Sequence, residues 1–173
     1  MPISSIASAA SKPISEPVQV TVKVGDIING EEVFWVSQDA KLDQDDIAYV
    51  TVTMEERAIP SPLGNPVYFR MISVIGRTQL GVKQFWELTA GIFSFYGGSC
   101  GDIIDYCFYG TYKPWIWHKV RLDVTPTLGY EASLLGEAYF QRNNGDEGYA
   151  WTSITITSDG HTDYDYAWYP GYP

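Results

Sequence analysis

Four residues near the C-terminal end, Asp159, His161, Asp163 and Asp165, alternate along the chain. In an extended backbone, side chains two apart leave the same face, so three carboxylates and an imidazole would stand in one row. Oxygen ligands joined by one imidazole can hold Ca2+ or a transition ion. The spacing lacks the bidentate Glu of an EF-hand loop, and a polar turn after the last strand accounts for the same residues. The stretch from Asp39 to Asp46 is also acidic, and it suits either Ca2+ or plain solvation. No cofactor is required by these patterns, and Ca2+ is the one ion the acids would favour.

Catalytic chemistry finds less support. The chain has two histidines, His118 and His161. His118 lies in Trp115-Ile116-Trp117-His118-Lys119, where alternation puts it on the strand face opposite both tryptophans. A nucleophilic triad needs Ser or Cys beside one of these imidazoles, and no Gly-x-Ser-x-Gly elbow occurs. Cys100 follows Gly97-Gly98-Ser99, but nothing cationic nearby in sequence would lower its pKa. No Gly-rich phosphate loop is present, and the 21 acids single out no glycosidase-like pair. The chain is expected not to be an enzyme.

Aromatic residues make up 15% of the chain, enough to favour strands and to raise the question of what the rings touch. Trp115 and Trp117 share one strand face, and Asn143, Asn144 and Asp146 occupy a Gly-containing loop. Rings beside amide and carboxyl acceptors are the usual equipment of a lectin-like carbohydrate-binding module, with Ca2+ as an optional helper. The segment 158–173 concentrates Tyr164, Tyr166, Trp168, Tyr169 and Tyr172 with no Lys or Arg. Residues 1–17 form an arm of Ser, Ala, Ile and Pro, carrying Ile3, Ile6 and Ile14, with only Lys12 and Glu16 charged. Extended arms that dock on adjacent subunits are a common route to assembly of β domains. The leading expectation is therefore a self-assembling structural protein, a virion, appendage or filament subunit, whose arm and aromatic tail dock on neighbouring copies. The lectin-like module, with glycans as partners, is the alternative.

The elements that must position these residues are strands. Val18 to Val24 alternate with polar residues, and further runs cover 33–37, 47–54, 67–75, 92–96, 103–109, 115–124, 135–142 and 149–157. The window 82–90 fits either a strand or a short helix. Asn143-Asn144-Gly145-Asp146-Glu147-Gly148 between the last two runs is the strongest hairpin signal. About nine strands spaced near ten residues apart, without a long amphipathic helix, predict an antiparallel β-sandwich, jelly roll or barrel over 18–157. Cys100 and Cys107 on one strand would stand roughly 20 Å apart, too far to bridge, which predicts two free thiols.

A net charge of −10 argues against nucleic acid and against docking on anionic lipid. The longest uncharged apolar stretch, Leu88 to Gly101, is too short and too rich in Gly and Ser to span a bilayer. The opening residues lack the basic start and apolar core of a secretory signal, and no Asn-x-Ser/Thr acceptor occurs. Location in a virion or an extracellular assembly is the expectation these features leave.

Overall fold

A computed structural model describes residues 21–61, 64–124 and 129–171. Among them the chain is all-β. Its ten strands are β1 (Ile27–Ile28), β2 (Glu31–Val36), β3 (Tyr49–Ile59), β4 (Val67–Arg77), β5 (Lys83–Tyr96), β6 (Ser99–Thr111), β7 (Trp115–Val124), β8 (Glu131–Arg142), β9 (Glu147–Thr157) and β10 (Thr162–Pro170). They form two antiparallel sheets, one ordered β1 to β6 and the other β10-β9-β8-β7. Neighbours in each sheet are neighbours in sequence, so the architecture is a meander folded into two facing layers, with β4 to β6 packed across β7 to β9.

The ambiguous window belongs to β5. Phe85, Glu87, Thr89 and Phe93 are buried on its inner face, while Trp86, Leu88 and Ile92 are half-buried on its outer face. Apolar residues on both faces erase the two-residue period, which explains why this window did not declare itself as strand. The hairpin of β8 and β9 forms where expected, with Arg142 N–H donating to Asp146 O at 2.8 Å and Gly145 N–H to Arg142 O at 3.0 Å.

Val18 to Val24 was expected as a strand, and the structure differs over residues 21–24, which are not strand. Residues 18–20 and the arm of 1–17 lie outside the described residues. Turn chemistry overrides the alternation here: Asp26 accepts from Lys23 N–H at 2.8 Å, its own N–H donates to Lys23 O at 3.1 Å, and Val24 is left exposed.

The core lies between the sheets, with Val50, Ile72, Val74, Phe85 and Phe93 from one side and Leu134, Phe140, Ile154 and Ile156 from the other. Each such side chain contributes about 1.5–3 kcal/mol by leaving water. The C-terminal segment supplies a further member. Trp168 is 5% exposed and stacks on Phe85 at 4.5 Å, and Phe85 in turn meets Phe140 at 4.5 Å. The segment expected to be a docking tail is thus largely β10, paired with β9 from Thr162↔Ile156 to Pro170↔Gly148. Gly148 makes this seat: a Cβ there would come within 1.9 Å of the Trp168 ring.

Candidate functional site

Three features outside ordinary core packing are candidates for function. The first is a polar cluster between the sheets. Glu87 is fully buried, with Oε1 accepting from Thr89 Oγ1 at 3.0 Å and Thr152 Oγ1 lying 2.8 Å from Oε2. Cys107 Sγ stands 3.6 Å from Oε1, and Gly136 faces the group closely enough that a Cβ would be 1.9 Å from Thr89 Oγ1. Burial raises the Glu87 carboxyl to about 7, against the opposing pull of the two hydroxyls and the thiol. Burial, then the adjacent Glu87, pushes the Cys107 thiol up to about 12. A thiol so disfavoured as thiolate is a poor nucleophile. Side chains fill the space Gly136 leaves, so the Glu87 carboxyl is enclosed between the sheets.

The second feature is the outer face of the larger sheet. Strand alternation and register bring Phe69 and Met71 of β4 beside Leu88 and Ile92 of β5, and these beside Ile104, Tyr106 and Phe108 of β6. Trp86 lies across Gly110 on the same face, where a Cβ would be 2.3 Å from its indole nitrogen. Ile104, Tyr106 and Phe108 are exposed by 40%, 40% and 49%, and the last two rings stack at 5.6 Å. At the β3 margin of this patch Arg57 pairs with Glu55 at 2.7 Å and lies over the Phe69 ring. The same face is covered near β2 and β3, where Val22, Ile28 and Leu42 pack on Val33, Ala48 and Tyr49. Under them Arg77 and Glu31 form a largely buried pair at 2.7 Å. Burial alone would raise the Glu31 carboxyl, but hydrogen bonds from Arg77 and Thr51 outweigh it and leave it lowered.

The third feature is a cleft of about 450 Å3 at one end of the sandwich. Its lining includes Trp35 of β2, Trp115 at the start of β7 and Trp168 of β10. Arg142 at the end of β8 lies 5.7 Å from the Trp115 ring, pairs closely with Asp46 and stands 3.3 Å from Asp146. Asp39 and Glu147 complete the acidic lining. Trp115 donates its indole N–H to Asp45 O at 3.2 Å, which ties the acidic loop of 39–46 over the core.

The residues singled out in the sequence are distributed among these features. Trp115 and Asp146 come together at the cleft. Trp115 was expected as an exposed ring and is 4% exposed, because it packs into the core cluster. Asn143 and Asn144 lie in the adjoining turn, where Asn144 Nδ2 donates to Asp146 Oδ2 at 2.7 Å. Trp117 is on β7, but its side chain is outside the described residues.

The row of acids after β9 does not gather into a cage. Asp159 accepts from Thr157 and from His161 N–H, while His161 Nε2 lies 3.1 Å from Asp163 Oδ1 in the open. Asp165 accepts from the N–H of Tyr166. Among the described residues no three His, Cys, Asp or Glu side chains are grouped to hold a metal ion.

Of the residues expected to grip neighbours, Trp168 is spent in its own core. Tyr164 donates to Glu56 at 3.1 Å, and burial, then Glu56, pushes its phenol upward. Tyr166 packs edge-on against Phe34 at 4.9 Å. Alternation along β10 turns these three toward their own sandwich, with Trp168 buried and Tyr164 and Tyr166 half-buried. Tyr169 remains 48% exposed, stacked on Tyr149 at 5.9 Å. Ile3, Ile6, Ile14 and Tyr172 lie outside the described residues. The apolar outer face escaped the sequence argument, although apolar residues at successive positions of 85–93 and 103–109 carried its signal.

Comparison with models of known families, with curated proteins and with solved structures finds no match. The functional argument rests on these geometries.

Proposed function

We propose that the protein is a self-assembling structural subunit whose copies pack through the apolar outer face of β4, β5 and β6. The observation that carries this reading is the row Ile104, Tyr106 and Phe108, exposed on a strand that, among the described residues, stands at the edge of its sheet beside β5. A contiguous apolar patch on a soluble domain marks an interaction surface. The occupant we favour is a second copy. At a net charge of −10, whole copies repel one another, and this patch is a place where they can approach with few carboxylates brought together. The marginal Arg57 and Glu55 offer both signs of charge, which suits a surface meeting its own like. The arm of residues 1–17 is a further contact with the neighbour in this reading, and the exposed Tyr169 is retained from the C-terminal segment.

Sedimentation velocity and electron microscopy of the wild type and of Leu88→Lys with Phe108→Lys test the proposal. The wild type should form oligomers or polymers that grow with concentration, and the double variant should stay a folded monomer by circular dichroism. Deletion of residues 1–16 should weaken assembly without unfolding the domain. A wild type that remains monomeric at high concentration, or a charged variant that assembles unchanged, sinks the proposal.

A further inference from the structure

We infer that the cleft at the end of the sandwich binds a small organic cation, of the alkylammonium class, independently of assembly through the outer face. Its aromatic walls have the required shape. Trp35 and Trp168 meet at 78° with centroids 6.4 Å apart, so their rings form a corner, and Trp115 adds a third indole to the lining. An ammonium group is attracted to indole faces, and desolvation in a concave site strengthens that attraction. The cleft already holds one such arrangement, with the Arg142 guanidinium over the Trp115 ring.

Charge decides between a cation and a neutral sugar. Asp39, Asp46, Asp146 and Glu147 face a single base, Arg142, in the lining. Arg142 pairs with Asp46 and Asp146 and is thereby consumed. Among the described residues Asp39 is hydrogen-bonded to the nearby Ser37 and Glu147 to the Gln141 amide, and neither carboxylate has a cationic partner. Two uncompensated carboxylates beside aromatic walls favour positive charge. Trp115 and Trp168 are buried, so of the three indoles Trp35 offers the accessible ring area in the cleft. A volume of about 450 Å3 falls in the range of small-molecule sites.

The test is calorimetric titration of the full chain with tetramethylammonium chloride, with sodium chloride at equal ionic strength as the control and glucose as the neutral competitor. Saturable binding of tetramethylammonium is expected, with no binding of glucose. Asp39→Asn with Glu147→Gln should weaken it about tenfold, since the lost attraction is of the order of 1.4 kcal/mol. Both acids are exposed, so the variant should keep its circular dichroism spectrum. The outer-face variant Leu88→Lys with Phe108→Lys should bind tetramethylammonium as the wild type does, which separates this site from assembly. No response beyond that of sodium, equal affinity in the acid-free variant, or binding of glucose in place of the cation would each overturn the inference.

Discussion

At the scale of single residues, Glu87 is the most consequential side chain. Its carboxyl is enclosed by Thr89, Thr152 and Cys107, with no cation beside it among the described residues, and burial lifts it from 4.5 to about 7. The native state therefore binds a proton that the unfolded chain releases near pH 4.5. Stability from this group is fully present below pH 4.5 and is lost as pH rises toward about 7, a total of roughly 3 kcal/mol. Glu87→Gln keeps the shape and removes the titration. Urea unfolding from pH 4 to pH 8 should show the wild type losing stability relative to this variant as pH rises. Parallel profiles for the two proteins would show that the carboxyl titrates normally.

At the scale of elements, β10 tests how a segment earns its place. Aromatics and acids at 162–169 alternate, and the structure uses that alternation to send Tyr164, Tyr166 and Trp168 inward and the acids outward. Trp168→Ala should cost about 3–5 kcal/mol, the usual loss for a buried aromatic, and should lower the unfolding midpoint accordingly. A loss below about 1 kcal/mol would mean that the Trp168–Phe85–Phe140 cluster is not structural. The alternation was visible in the sequence, as were most of the strands and the Asn143–Gly148 turn. What the ring row would touch was not, because alternation gives a face but not its partner. The Glu87 cluster was hidden for a related reason: Glu87, Cys107, Gly136 and Thr152 lie on four strands and meet only once the sheets close. The cleft was half legible, since Trp115 and Asp146 were singled out but Trp35 and Arg142 were not.

At the scale of the whole molecule, a strongly acidic body carries an apolar patch on β4, β5 and β6. Repulsion between copies is screened by salt, whereas apolar contact is not weakened by it. Assembly through the outer face should therefore strengthen between low and moderate ionic strength, measured by light scattering at constant protein concentration. Dissociation by added salt would point to ion pairs as the adhesive and away from this face.

The sequential strand order has a kinetic corollary. Every ladder in both sheets joins consecutive strands, so no strand must wait for a distant segment of chain before it finds its hydrogen-bonding mate. Loop-closure entropy is then modest at each step, and folding can proceed by adding one hairpin to the next. The clasp of the two layers, in which Trp168 of the last strand meets Phe85 near the middle of the chain, closes a long loop and is expected to come late. Such a molecule should refold faster than a Greek-key sandwich of equal length, and a nascent copy would leave its greasy surfaces open to misadventure for less time.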